Sequence, residues 1–482
     1  TTVEIDSSVT GDAPVSMAWT IDGTLRVFGT IGNAIGDVSS VHVGATGIFN
    51  VDNSETIGAL SGNAGASIVV AATEVLSADG TGTDPDIDPG TDFAGVISGA
   101  GGFRKVGTGK LTLSGVNTFD GDLTVSAGTL VLSANNTGTG AVIINAGTLQ
   151  IDDAGAIDDA GSVTIAFGGT LTGTVAYDIV GPVTNNGVLS GNVTITGDVE
   201  NGYQIAPGES PGIVTIIGDY SATGSVAHFT MDVDLDAALA APVNGTTHDF
   251  VDIQGNVTGG VRTFVLLEET DPTADIGLPT TGDGIQLIRV TGTATADDFV
   301  QANALTAGIY QYLLTYVEDY SGTDDGFFLQ SALRDEMVVH PALLSASQAM
   351  IRQCFRDEQR IPDSPKGATY GRAWVGYHQG ATNMGADTGI DMDLDYGCTT
   401  GGMDWRMGYG WFGGVSGGFG SANGDVVVPS GTGTLDGDAR VIEAYAAFTS
   451  SAFFVNLSAG YADMDWTYSN RLNAGEQTSV SG

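Results

Sequence analysis

Between Gly99 and Leu130, apolar and polar residues alternate in short bursts that each stop at a glycine. Leu111 and Leu113 alternate with Thr112 and Ser114, and Leu123 and Val125 with Thr124 and Ser126. A period of two sends successive side chains to opposite faces, one buried and one wet. Gly115, Gly121 and Gly128 stand at the corners, where close backbone approach is easiest for a residue without Cβ. The unit recurs as Gly128-Thr129-Leu130, Gly147-Thr148-Leu149, Gly169-Thr170-Leu171 and Gly187-Val188-Leu189, at steps of 19, 22 and 18 residues. Self-similarity at that period, with one set of strands in each, predicts a solenoid of stacked rungs. By the same alternation Val163, Ile165 and Phe167 share one face, opposite Ser162 and Thr164, and Val193 and Ile195 repeat the pattern.

The pattern changes twice toward the C-terminus. Pro341 to Arg360 reads as a helix, with Pro341 in the first turn, where a missing N–H costs nothing. Leu343, Ala346, Met350 and Cys354 fall at helical spacing beside Leu344, Ile351 and Phe355, an apolar stripe. Arg352, Arg356 and Arg360 recur every four residues and share one face. From Ala368 the predicted strands lengthen, near 369–378, 390–407, 409–427, 438–449 and 452–468. Phe453, Val455, Leu457 and Tyr461 alternate with Asn456, Ser458 and Gly460, and Met392, Leu394 and Tyr396 with Asp391, Asp393 and Asp395. Apolar-out, polar-in alternation over about ten residues marks a membrane β-strand. Five such strands are fewer than the even number, at least about 8, that closes a bacterial barrel, so a partial barrel is expected.

Ser98 to Leu130, SGAGGFRKVGTGKLTLSGVNTFDGDLTVSAGTL, resembles the passenger-associated repeat of bacterial autotransporters, proteins of type V secretion. ETIGALSGNAGASIVV (55–70) resembles the rung that precedes it. IAPGESPGIVTIIGDYSATGSVAHFTMDVD (205–234) and THDFVDIQGNVTGGV (247–261) resemble the end of such a passenger. TGDGIQLIRV (281–290) and TAGIYQYLLTYVEDYSGTDDGFFLQS (306–331) resemble the autochaperone rungs that close the stem.

The resemblance implies an all-β chain: a right-handed parallel β-helix stem, a short linker helix, then a partial antiparallel transmembrane-type β-barrel. Its divisions are N-terminal passenger rungs over 1–98, repeat-containing β-helix over 99–204, autochaperone-like rungs over 205–335, linker helix over 336–367 and partial barrel over 368–482. It implies a secreted or surface-displayed passenger with a structural or adhesive role, exported through its own outer-membrane barrel. The implied partners are the outer membrane, its barrel-assembly machinery, and a host or environmental glycan or protein. In this family the linker helix threads the pore. Met392, Leu394 and Tyr396 would then face lipid, and Asp391, Asp393 and Asp395 would face Arg352, Arg356 and Arg360 in the lumen. The helix contains no Asn, so the self-cleavage some autotransporters perform there is not expected. The alternatives are a passenger β-helix enzyme acting on polysaccharide or ester, and a secreted β-solenoid unrelated to translocation.

Composition agrees. Gly is 73 of 482 residues, about twice ordinary usage, while Pro is 13, as many short strands with tight corners require. Net charge is −42, from 57 acidic and 15 basic residues, the wrong sign for nucleic acid. The two cysteines, Cys354 and Cys398, both lie in the C-terminal part, so the stem has no disulfide framework. The opening TTVEIDSSVT is not a signal peptide, which points to a processed N-terminus.

Candidate chemistry is sparse. Asp84, Asp86 and Asp88 are spaced like calcium-loop ligands, but Gly90 arrives one place late and no bidentate Glu follows. Gly414-Val415-Ser416-Gly417-Gly418 fits a nucleophile elbow by letters only, since that elbow needs a strand-to-helix turn. Gly107-Thr108-Gly109-Lys110 lacks the spacing of a phosphate loop and reads as a rung corner. His248 and His340 read as surface or turn residues. No catalytic residue, cofactor site or metal centre is assigned, and no enzymatic activity is expected.

Overall fold

The computed structural model describes residues 2–6, 17–29, 34–80, 91–138, 140–208, 211–270, 277–354, 371–384, 391–408, 410–428, 431–449, 454–469 and 478–481. They fall into two compact units. The first is Thr1–Gly308 with Tyr312–Ser331, and the second Ile309–Gln311 with Ala332–Gly482.

The first unit is a parallel β-helix. One wall is a 13-stranded sheet, a second has 10 strands, and a third is split between a 6-stranded and an 8-stranded sheet. The Gly-Thr-Leu recurrence sets the register of the largest wall: Leu130 pairs with Leu149, Leu149 with Leu171 and Leu171 with Leu189. The same column continues through Ile205, Phe229 and Val265, and all seven side chains are fully buried. Each contributes roughly 1.5–3 kcal/mol of apolar burial. Asn, Gly and Thr at the turns let each rung stack directly on the last, so the ladder is continuous.

Among the described residues the third wall has no strand between Thr118–Phe119 and Tyr177–Val180. Across this gap a side-chain ladder replaces part of the backbone pairing. Asn117 Nδ2 donates to Asn136 Oδ1 (2.9 Å) and Asn136 Nδ2 to the Ala156 carbonyl (3.1 Å). Helix α1 (Leu235–Ala240) sits on a lateral excursion, where Asp234 caps it by accepting from Ala237 N at 2.9 Å. At the last rungs Asp325–Leu333 runs antiparallel to Ile285–Val290, which covers the sheet edge the parallel coil would otherwise leave open.

The second unit contains helix α2 (Asp335–Cys354) and the antiparallel strands β1 (Gly371–Met384), β2 (Asp391–Gly408), β3 (Trp411–Val428), β4 (Gly431–Thr449) and β5 (Phe454–Ser469), with a short β6 (Thr478–Ser481) on the edge. Helix α2 begins at Asp335, so Pro341 lies inside it rather than in its first turn. Asp335 is buried and accepts hydrogen bonds from Gln311 Nε2 and from the Tyr468 hydroxyl (3.4 Å), which fixes the earlier start. Leu343, Ala346 and Met350 are buried as the stripe predicts, whereas Leu344 is 66% exposed.

Candidate functional site

On the outside of the β-helix one ridge is unlike the rest of the surface. Residues two beyond Ile165, Asn185, Asn201 and Ala222 occupy equivalent corners on successive rungs. They are Phe167, Gly187, Tyr203 and Gly224. Alternation places Phe167 inward with Val163 and Ile165, yet it is 80% exposed while those two are fully buried. The strand ends at Ile165, and Gly168 at φ +88° turns the chain outward before Gly169 resumes the next strand. Gly187 leaves the intervening corner bare, and a Cβ there would lie 2.3 Å from the Gly169 carbonyl oxygen. The Phe167 ring therefore reaches across to Tyr203, edge-on, with centroids 6.1 Å apart at 72°. Tyr203 in turn meets His228 at 5.2 Å and 82°. Phe264 is the register partner of His228 on the next rung and is 37% exposed. Val226, 57% exposed, extends the apolar margin, and Gln204 Nε2 donates to Thr230 Oγ1 beside it at 2.9 Å. Exposed apolar patches of this kind mark contact surfaces. Sequence reasoning missed the ridge. The available signal was the pair of glycines after Phe167, which ends the alternation.

Inside the coil are several buried polar groups, each satisfied by neighbouring rungs. Asn185 Nδ2 donates to Asn201 Oδ1 (2.9 Å), Asn201 Nδ2 to the Tyr220 hydroxyl (3.2 Å), and that hydroxyl pairs with Thr263 Oγ1 (2.8 Å). Burial pushes the Tyr220 and Tyr177 hydroxyls far above their ordinary range, so both stay neutral donors. Lys105 is fully buried, and its ammonium donates to the carbonyls of Asp79, Val106, Gly107 (3.0 Å) and Ala127 (3.4 Å). Burial lowers its pKa to about 8, against the opposing pull of Asp79. Gly107 adopts φ +63°, and a Cβ there would overlap the Asp79 carboxylate.

Two buried carboxyls and one imidazole titrate abnormally. Burial raises Glu55 to about 7, although it accepts from the Ala34 and Ile35 amides at 2.8 and 2.9 Å. Asp249 is raised to about 7 by burial while accepting from Gly212 N (2.6 Å) and Asp232 N (2.8 Å). His248 is fully buried, not on the surface, and burial lowers it to about 4. Its Nε2 lies 2.9 Å from the Gln286 carbonyl. Both carboxyls hold their proton more tightly folded than unfolded, so their stabilisation is complete below pH ~4 and is lost as pH rises through about 7. His248 acts oppositely: its contribution is present above pH ~6.5 and is lost as pH falls toward 4. Over pH 4.5–6.5 two groups favour acid and one opposes, a net of one proton, or about 1.4 kcal/mol per pH unit. Replacing Glu55 by Gln should remove one of the two acid-favouring protons. Guanidinium unfolding at pH 5, 6 and 7 is expected to show wild type gaining on E55Q by at least 1 kcal/mol on acidification. Parallel pH curves for the two proteins would refute the assignment.

The C-terminal site residues are placed differently from expectation. Asp391, Asp393 and Asp395 lie on the exposed face of β2, while Met392, Leu394 and Tyr396 lie on the face packed against α2 through Val339, Ala342, Leu343, Ala346 and Met350. The helix is thus held by apolar contact, and the aspartates point away from it. The charge pairing expected for them is with arginines whose side chains lie outside the described residues. Arg352 lies in α2 but its side chain, like all of Arg356 and Arg360, is outside the described residues, as are Asp84, Asp86 and Asp88. Val455, Leu457 and Tyr461 do face outward, at 44%, 68% and 66% exposure. On the α2 side, Asp404 gathers Arg372 (2.7 Å), Trp374 Nε1 (3.1 Å) and the Tyr445 hydroxyl. Ser416 lies within β3, not at a strand-to-helix turn, and its hydroxyl is 3.5 Å from Glu443. Cys398 is disulfide-bonded, and the chain's only other cysteine is Cys354.

Comparison with known families places these features. Residues 103–132 and 127–151 match the passenger-associated transport repeat. Residues 192–314 match the autochaperone domain type 1. No curated protein matches the chain. Lys105 and three of its four carbonyl partners, those of Val106, Gly107 and Ala127, belong to the first repeat, and Tyr203, His228 and Phe264 of the ridge to the autochaperone domain. Together with a C-terminal antiparallel sheet that fits a β-barrel, the matches to the transport repeat and the autochaperone domain indicate an autotransporter.

Proposed function

We propose that this passenger is displayed at the outer surface of the cell, exported through its own outer-membrane barrel, and serves there as a structural and adhesive stem whose contact face is the Phe167–Tyr203–His228 ridge. The observation that carries the reading is Phe167 itself, 80% exposed and packed edge-on against Tyr203. Such a ring adds nothing to the core, and a contiguous exposed aromatic row of this kind marks a contact surface. The flat rings and the adjacent Gln204–Thr230 hydrogen bond suit a partner with both apolar and hydroxyl groups, such as a neutral glycan or a polar protein surface. A charge of −42 disfavours polyanions.

The test is a double variant, Phe167→Ser with Tyr203→Ser, displayed from the complete protein. Because both rings lie outside the coil, stability should change by less than about 0.5 kcal/mol each, with display unaltered. Adhesion of the displaying cells to glycan- and protein-coated surfaces is expected to fall to that of cells lacking the protein. Undiminished adhesion by a normally displayed double variant would defeat the assignment of the ridge.

A further inference from the structure

The antiparallel sheet has two faces, and each changes character halfway along. Directly paired residues share a face, so the register reads as rows. On the face away from α2, one half is acidic. Asp393 pairs with Asp425, Asn423 with Asp436, and Asp438 with Asp465. The other half of the same face is apolar. Val375 is 78% exposed, Phe419 68%, Ile442 65% and Leu457 68%, with Trp405 and Trp411 close to half exposed. The row of Thr399, Phe419, Arg440 and Asp463 divides the two halves.

The opposite face changes at the same level and in the reverse sense. Behind the acidic half it is apolar and packed on α2 through Met392, Leu394, Tyr396, Met464 and Trp466. Behind the apolar half it carries Asp404 with Arg372, Trp374 and Tyr445, and Ser416 near Glu443. Charged outside with apolar inside is what water selects. Apolar outside with hydrogen-bonded polar groups inside is what hydrocarbon selects.

We propose that the bilayer's hydrocarbon covers only the half of this face from the Phe419–Arg440 row to the turns at Gly408–Trp411, and that the aspartate-bearing half stands in water beyond the membrane with α2 packed behind it. This rests on reading the sheet as barrel wall. Three observations select a bilayer over a protein partner for the apolar half. It runs without a break across five neighbouring strands, β1 to β5. From Thr399 to Met407 it extends about 26 Å along the strand at ~3.3 Å per residue, which at the ~40° tilt of barrel strands spans about 20 Å, most of the ~25 Å apolar band of outer-membrane barrels. It stops where like charges begin to face each other: Asp393 opposite Asp425 and Asp438 opposite Asp465. Water screens such pairs, whereas hydrocarbon would not admit them. The boundary also accounts for the inverted disposition of Asp391, Asp393 and Asp395, which lie above the membrane level where the outward face must be wet.

The complete protein, assembled in cells and transferred to vesicles of phosphatidylcholine brominated at mid-chain, provides the test. Tryptophan is introduced singly as Leu457→Trp, Ile442→Trp, Asp393→Trp or Asp436→Trp, and the added emission is compared with that of the parent. Bromine should quench the emission added at 457 and 442 by at least half and leave that added at 393 and 436 unchanged. Quenching at 393 and 436 equal to that at 442 would overturn the boundary while leaving the barrel reading intact. Unquenched emission at all four positions in inserted protein would overturn the lipid assignment and indicate a protein-covered face. Failure of the parent to insert at all would overturn the barrel reading and the boundary together.

Discussion

Phe299→Ala is expected to destabilise the β-helix by about 3–5 kcal/mol, the range for truncating a buried phenylalanine. Phe299 is 3% exposed at the centre of an aromatic cluster, with ring centroids 5.9 Å from Tyr220, 5.5 Å from Phe229 and 4.9 Å from Phe327. Each such pair adds about 0.5–1.5 kcal/mol beyond its area. The cluster ties the rung of Tyr220 and Phe229 to those of Phe299 and Phe327 and holds the Tyr220 hydroxyl against the Asn185–Asn201 ladder. In a stacked fold, stability is a sum over rungs and their interfaces. The loss should therefore fall on residues 205–331, which the aromatic content marks as the most resistant part. Guanidinium unfolding gives the size of the effect, and limited proteolysis gives its place. Tyr220 and its neighbours should be released before the Gly-Thr-Leu rungs in the variant and after them in the wild type. A change under 1 kcal/mol, or proteolysis that starts in the same place in both proteins, would show that the cluster is not the anchor.

Lys105→Met should cost about 2–3 kcal/mol, by leaving buried carbonyls without a donor. Methionine fits the length and flexibility of the lysine stem, so packing is nearly conserved. What disappears is the ammonium joining Asp79, Val106, Gly107 and Ala127, which belong to three successive rungs. The pH dependence separates this from a packing defect. With the folded pKa lowered to about 8, wild type sheds the proton earlier than the unfolded chain, so its stability rises between pH 8 and about 10.5. The variant should lack that rise. A variant as stable as wild type, or one retaining the alkaline rise, would remove Lys105 from this role.

The β-helix was legible because each rung repeats the same local decisions. Glycine sets the corner and leucine the inward column, and the pairing of Leu130, Leu149, Leu171 and Leu189 follows directly. Lys105 was visible in principle, since it shares parity with the buried Phe103 while Arg104 points out. Phe167 was signalled only by the two glycines after it, because alternation holds only while the strand lasts, and this strand ends two residues earlier. The aspartates of β2 were misplaced for a different reason. A period of two says that Asp391, Asp393 and Asp395 share a face. Which face is wet depends on what lies against each half of a long strand, and that is set by α2 and by neighbouring strands far away in sequence. The start of α2 likewise depends on Gln311 and Tyr468, remote contacts to Asp335.

The gap in the third wall also has a mechanical side. Between residues 119 and 177 the rungs are joined by two strand ladders and a few amide side chains, whereas above and below it three ladders run in parallel. Resistance to bending comes from the backbone hydrogen bonds crossing each rung interface, and from how far they stand from the axis. With one wall missing, the coil is stiff at both ends and compliant toward one side in the middle. A sideways load is therefore taken up as a hinge at the passenger repeats, at whose far edge Phe167 stands, and the aromatic cluster with the Tyr203–His228 part of the ridge is carried beyond it as a rigid piece.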